Sequence, residues 1–470
     1  MRTLCFVSLL LTGLMAGTAH ATYLECPANP SGTRVLPDNR YFDVTPKIVP
    51  ADTETRVEVI PLFDHCRFKS GCSYELTYVP VDLRAERNGW VPDQKIEITP
   101  ENGRYTFSRY FEGEQEHILY IEETCGDKRR ALGTLHLFSL EKDLLPLRPF
   151  KGDFHMHSNR SDGVESPAYV AGACRRVGLD FMALTDHRKY AGSIEAQQAF
   201  SGVPIDLRIF PGEEVHPPDN PVHIVSFGAN AGISELYQDE AAYRAEVAGV
   251  EKAMPALPEG VNRFQYASCL WAAGKIRERH GLSMFAHAYW FTDHHYYISE
   301  ALRTHLFETQ PFDALELISG FDWPGLNECD TNALQVARYQ EERAKGSRIP
   351  VCGISDTHGI ERSEAFGRYY TVCFSPSCEF QDLAESIKGL NSVAVEAVRG
   401  ELPRAYGPFR LVKYALFLLR EVFPQHDELC VEEGRLMLQY AAGDAAALER
   451  LRPMQGQTQR LYDHLWAPLR

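Results

Sequence analysis

The sequence is short of positive charge: 48 Lys and Arg stand against 64 Asp and Glu, a formal net charge of -16. A polyanion clamp needs a basic surface, so no large nucleic acid is expected as a partner. Long apolar runs are scarce as well. The stretch Leu4 to Met15 falls short of the roughly 20 residues of a membrane helix, and nothing downstream is longer, so stable membrane insertion is not expected. Also missing are the Gly-x-x-x-x-Gly-Lys phosphate loop, the Gly-x-Ser-x-Gly elbow, the His-Glu-x-x-His helix and a dinucleotide Gly-x-Gly-x-x-Gly after a strand. No CxxC pair, internal repeat or low-complexity tract is present. What remains is a chain of 470 residues, 24% charged and 44% apolar, which excludes disorder and a collagen-like fibre and leaves room for two domains plus a smaller element.

Arg2 gives a short positive start, Leu4 to Met15 has the length of a signal h-region, and Ala19-His20-Ala21 is an A-x-A cleavage site. These predict a signal peptide over residues 1–21, a mature start at Thr22, and a periplasmic or secreted address. An oxidising compartment favours disulfides. Of twelve cysteines, Cys5 lies in the signal, and Cys26, Cys66, Cys72 and Cys125 precede residue 150. Cys66 and Cys72 are the easiest pair to close, with three pairings open. Cys174, Cys269, Cys329, Cys352, Cys373, Cys378 and Cys430 read as buried thiols, with Cys373 and Cys378 the candidates for one further bridge.

Residues 22–148 show short period-two runs such as Thr55-Arg-Val-Glu-Val-Ile and His117-Ile-Leu-Tyr-Ile, punctuated by Gly, Pro, Asn and Asp. That pattern predicts an antiparallel β-sandwich, followed by a linker at Leu145-Pro-Leu-Arg-Pro149. Over residues 149–400 short strand-like runs alternate with helical stretches, which implies an α/β domain of parallel strands with crossover helices. Seven candidate strands end near His157, His187, Glu214, Ser226, His287, Ile318 and His358. Residues 401–470 read as a helical extension whose amphipathic segment from Leu411 to Phe423 packs on the barrel rather than on a membrane, since it lacks a basic face.

Polar groups crowd the predicted strand ends: His155, His157, Asp162, His187, Glu214, His223, His287, Asp356 and His358. Parallel barrels assemble active sites at those ends, so the nine converge. Two residues apart on a strand is one face, which pairs His155 with His157 and Asp356 with His358. Nitrogen and oxygen donors without thiolate suit manganese, zinc or iron, and nine exceed one tetrahedral ion, so two or three divalent ions are implied.

The run His155-Met-His157-Ser-Asn-Arg-Ser-Asp162-Gly, with Thr185-Asp-His187, Pro211-Gly-Glu-Glu214, His223, Ala286-His287 and Ser355-Asp356-Thr-His358, resembles the PHP superfamily, named for polymerase and histidinol phosphatase. The resemblance covers about residues 150 to 400. It implies a distorted seven-stranded (β/α) barrel with a di- or trinuclear centre. By that resemblance His155, His157, Glu214 and Asp356 hold one metal, Glu214 bridges to a second held by His223 and His287, and Asp162, His187 and His358 hold a third. The adjacent Glu213 is the alternative to Glu214, and the family's Pro-Gly-x-Glu spacing selects Glu214. Asp162, where some members have His, is similar to the small phosphoesterase branch.

Such a centre turns water into hydroxide near neutrality and neutralises the oxygens of an electrophile, and phosphoryl transfer gains most from this. The expectation is an exported phosphoesterase acting on a small phosphate mono- or diester. Arg160, Arg188, Lys189 and Arg362 lie beside ligand positions, and Arg188 and Arg362 are the first candidates to meet a substrate phosphate. The aromatic segment from Ala288 to Tyr297 reads either as a lid or stacking platform, or as rings packed on the insertion at residues 230–280. Within it His294 and His295 are candidates for proton transfer to a leaving group. Two alternatives stay open: hydrolysis of an amide, ester or carbamate, as in carbaryl-type relatives, and a non-catalytic metal- or glycan-binding protein, which the complete ligand set opposes.

Overall fold

The computed structural model describes residues 36–82, 95–320, 330–363 and 365–468. The expected signal segment, Cys26 and Cys329 lie outside them.

The N-terminal part holds two sheets around one apolar core. In the larger, the strands Ser73–Pro80, Glu116–Cys125 and Lys128–Leu140 pair antiparallel, with Lys95–Ile98 at the edge. The smaller is Phe42–Thr45, Thr53–Pro61 and Tyr105–Phe111. Alternation along these strands turns Val57, Val59, Leu76, Leu119, Ile121, Leu135 and Leu137 into a shared interior, as period-two patterning requires. The strands are not all antiparallel: Leu36–Pro37 and Ile48–Pro50 run parallel to Lys128–Leu140. Local alternation sets which face is buried and leaves strand direction to the connections.

The register also decides the disulfide. Ser73 lies opposite Thr124, so Cys72 meets Cys125 of the neighbouring antiparallel strand and bonds to it, with a Cα–Cα distance of 4.4 Å. The expected partner, Cys66, is a buried thiol whose Sγ donates to the carbonyls of Tyr41 and Phe63. Cys373 and Cys378 are also unbonded; their thiols point to Leu383 O and Asp180 O respectively. Proximity in sequence does not supply the facing Cβ geometry a disulfide needs.

Beyond residue 147 the chain is mixed α/β. Arg148–Asp153, Phe181–Ala183 and Arg208–Phe210 pair in parallel, and Arg148–Asp153 continues antiparallel through Tyr369–Ser375, Ser392–Glu396 and Arg404–Tyr406. A second sheet runs Gly212–Val215, Ile224–Phe227, Leu282–Phe285, Ala314–Ile318 and Val351–Gly353. Its first three strands pair antiparallel and the rest parallel, so the expectation of parallel strands throughout is corrected. For the first pair the reason is connection length: Gly212–Val215 to Ile224–Phe227 closes as a short return with no crossover helix, and only antiparallel neighbours can be joined that way.

Phe154, Phe181, Val225, Phe227, Leu282, Met284 and Cys352 fill the space between the two sheets. Phe154 stacks on Phe227 at 4.4 Å. Above this apolar plug the sheets meet again through isolated bridges, Met156 with Thr357 and His187 with Glu214. The helix Phe409–Glu421, the first of the C-terminal extension, buries Leu411, Tyr414, Phe417 and Leu418 in a core shared with Val372, Phe374 and the N-terminal Phe138. No helix among the described residues is long and apolar enough to cross a membrane.

Candidate metal centre

His155, His157, His187, His287, Asp356 and His358 follow strand ends, whereas Glu214 lies within the strand Gly212–Val215 and His223 immediately precedes Ile224–Phe227. Left-handed backbone gathers past the strand ends: Asp356 has φ 48° and Arg188 φ 56°. Such conformations cost a non-glycine residue about 1–3 kcal/mol, which the surrounding packing must offset.

Glu214 is central. It is fully buried, and one oxygen, Oε1, lies 3.0 Å from His223 Nδ1 and 3.1 Å from His287 Nε2. The other, Oε2, lies 3.5 Å from His155 Nε2 and 3.6 Å from His157 Nε2. Asp356 Oδ1 closes that group, 3.3 Å from His155 Nε2 and 3.0 Å from His157 Nε2. Nearer solvent, His187 Nε2 lies 3.3 Å from Asp162 Oδ2, and His358 Nε2 lies 3.6 Å from Asp162 Oδ1 and 3.5 Å from His187 Nε2. All nine predicted ligands therefore meet in three overlapping groups. Glu213 points away and accepts the backbone N–H groups of Ile233 and Ser234.

The spacing fits metal binding. Tetrahedral zinc with bonds of about 2.0–2.1 Å holds its ligand atoms about 3.3–3.4 Å apart, close to these separations. His155 Nε2, His157 Nδ1, Glu214 Oε2 and His223 Nδ1 are buried with no partner at hydrogen-bonding geometry. Buried polar atoms are ordinarily satisfied, so a cluster of four unsatisfied donor atoms is built for a cation. The electrostatics agree. Burial pushes carboxyl pKa values up, yet for Glu214 the imidazoles of His155, His223 and His216 outweigh it and hold the group well below the usual range. Burial brings His157 down to about 4 and His223 to about 3, leaving neutral rings with a lone pair. At His187 burial is outweighed by Asp162 and Glu214, which push it up to about 10. The carboxylates thus demand positive charge in the pocket.

Local sequence explains how Asp162 reaches the group. Asp186 accepts the Ser158 N–H at 2.7 Å and the hydroxyls of Ser158 and Ser161 at 2.8 Å each. This clamps the loop that follows His157 against the second strand. Gly163 then passes so close that a Cβ would lie 2.4 Å from His157 O.

Sequence reasoning missed two residues. Glu316, on the strand Ala314–Ile318, places Oε2 2.8 Å from His155 Nδ1. His216 places Nε2 3.3 Å from Glu214 Oε2 and 3.1 Å from His187 Nδ1, its ring stacked on His223 at 3.6 Å. The signal for His216 was present: it follows Glu214 by two, the spacing that had selected the other pairs.

The remaining predicted residues surround the cluster. Arg188 is exposed, and its N–H donates to Glu214 O at 2.9 Å. Arg362 is exposed on the loop after His358. Arg160 is committed to Glu195, with two bonds of 2.7 Å. His294 occupies the turn of a small hairpin, Phe291–Thr292 with His295–Tyr296, at φ 65°. The rings of the aromatic segment divide between the cluster and the helix Glu300–Thr309, which lies outside the insertion at residues 230–280. Trp290 lies 5.5 Å from His223 and 5.6 Å from His287, and Tyr297 lies 5.7 Å from His223. Tyr289 instead packs on Phe307 and under Arg303.

No family model matches the chain. A 48-residue stretch, 10% of this chain and 8% of the other, is 48% identical to the DNA polymerase/3'-5' exonuclease PolX of Bacillus subtilis. Among solved structures, a two-domain protein containing a predicted PHP-like metal-dependent phosphoesterase from Bacteroides vulgatus is 16% identical, with a TM-score of 0.38, over 53% of this chain and 66% of that one. An amidohydrolase from Chromobacterium violaceum, with bound sulfate and no metal, is 19% identical, with a TM-score of 0.27, over 44% of this chain and 87% of the other. The imidazole and carboxylate donors gathered from both sheets form groups that could hold metal ions.

Proposed function

We propose that the protein is an exported phosphoesterase that hydrolyses a small phosphate mono- or diester in the periplasm or outside the cell. The fold is read as a distorted (β/α)7 barrel, with the N-terminal sheets forming a sandwich that braces it. The observation that carries the proposal is Glu214, buried and shared between two imidazole groups, with unsatisfied donor atoms on every side.

Two or three ions of manganese, zinc or iron would supply an activated water and neutralise the oxygens of the electrophile. The chain's own residues do the rest. His155, His157, Glu214 and Asp356 define the deep position, His223 and His287 share Glu214 with it, and Asp162, His187 and His358 define the outer one. Arg188 and Arg362, exposed beside those ligands, would orient the phosphate by bidentate contact. His294, at the hairpin turn, would give a proton to the leaving group. Trp290 and Tyr297 offer an aromatic wall next to His223, which suits a ring-bearing leaving group of modest size. A small substrate also accords with the net charge of -16.

The test is turnover of p-nitrophenyl phosphate, bis-p-nitrophenyl phosphate and p-nitrophenyl acetate by manganese- or zinc-loaded protein, with Asp356→Asn as the blank. Release from either phosphate that disappears in the variant is the expected result and separates monoester from diester preference. Release from acetate alone would replace this reading with hydrolysis at carbon. Silence across the panel would favour a binding role.

A further inference from the structure

The nine ligands do not exhaust the donors around Glu214. We infer that His216 is a tenth metal ligand, completing a cation position with Glu214 Oε2 and His187 Nδ1; the inference rests on the metal-centre reading above.

Three observations support it. First, the three atoms converge: His216 Nε2 is 3.3 Å from Glu214 Oε2 and 3.1 Å from His187 Nδ1, and His187 Nδ1 is 2.5 Å from Glu214 Oε2. Second, Glu214 Oε2 is buried and lacks a partner at hydrogen-bonding geometry, so an acceptor aimed into this group is unsatisfied by the protein. Third, His216 follows Glu214 just past the strand Gly212–Val215. Spacing of two on extended chain turns both side chains to one face, as for His155 with His157 and Asp356 with His358. The ring is held there by stacking on His223 at 3.6 Å and by little solvent, its side chain being 13% exposed. His187 serves two groups with its two nitrogens, Nε2 facing Asp162 and Nδ1 facing Glu214 and His216. With ions at both positions, each nitrogen of His187 would face a different one.

The alternative is that His216 only orients His187 through the 3.1 Å contact. A pair of backgrounds separates the two. Metal content of His216→Gln is measured by elemental analysis after equilibration with zinc, in the wild-type chain and in Asp162→Asn, with cobalt(II) absorption as the second readout. Gln retains hydrogen-bonding capacity but replaces the imidazole donor. The expected result is one ion fewer per chain in both backgrounds, with a weakened or shifted cobalt band and an unchanged far-ultraviolet circular dichroism spectrum. Unchanged content and spectrum in His216→Gln, or a loss seen only when Asp162 is intact, would overturn the inference. A wild-type chain that takes up no metal would instead sink the metal-centre reading itself.

Discussion

Glu316 Oε2 lies 2.8 Å from His155 Nδ1, and both side chains are fully buried. His155 therefore presents Nε2 to the deep metal group while its other nitrogen is held by a carboxylate. That contact fixes the ring's tautomer and orientation and raises its basicity. Glu316→Gln should leave the fold intact and weaken zinc affinity by about 10–100-fold, the usual effect of losing such a partner. Competition with a chromogenic chelator measures it; an unchanged affinity would remove Glu316 from the centre.

Asp186 acts on the backbone rather than on a ligand. It ties Ser158 and Ser161 to the second strand by three hydrogen bonds. Asp186→Ala should destabilise the protein by about 2 kcal/mol or more, since hydrogen bonds to a charged group are worth about 1.5–3 kcal/mol each and do not sum simply. Urea unfolding reads the stability. Metal bound by the Asp162 group should fall as well, because its loop is no longer held.

The N-terminal core contains a titratable group remote from the metal centre. His117 is buried, with Nδ1 2.8 Å from Tyr78 Oη and Nε2 2.7 Å from Ser139 Oγ. Burial lowers its pKa to about 3, against an ordinary value of 6.5. The unfolded chain therefore takes up the proton first. Stability from this group is complete above pH 6.5 and is lost as pH falls toward 3, at about 1.4 kcal/mol per unit. Between pH 7 and pH 5 the wild type should lose about 2 kcal/mol more than His117→Gln by urea unfolding. Parallel curves for the two proteins would show that His117 titrates as it does in the unfolded chain.

Trp290 borders His223 and His287 and packs on Tyr297 at 4.8 Å. Trp290→Ala should raise KM for aryl phosphates by roughly 5–10-fold, in keeping with about 1 kcal/mol for a lost aromatic contact, and change kcat little. Alkyl phosphates should be insensitive. Equal effects on both substrate types would mean that the ring supports the ligands rather than the substrate.

Part of the clustering of the candidate ligands was legible because its signal is local: His155 with His157 and Asp356 with His358 are paired by two-residue spacing, while the preference for Glu214 over Glu213 came from the PHP resemblance, and Glu214 is the one that faces the cluster. Glu316 was not legible: it sits mid-strand in Ala-Leu-Glu-Leu-Ile, where period-two reading predicts only a buried position, and its partner His155 is 161 residues away. The same limit applied to cysteine. Cys66 and Cys72 are close along the chain, but Cys72 and Cys125 are joined by strand register.

The sequence by itself determined the residue types, their order along the chain and the two-residue pairings, because hydrophobic periodicity and short-range spacing are properties of consecutive residues. Tertiary structure alone decided the direction of the strands around Glu214, the bond between Cys72 and Cys125, and the contact of Glu316 with His155. Each of these depends on which distant segments pack side by side, and that is set by the closure of two sheets over the Phe154 and Phe227 plug rather than by any local pattern.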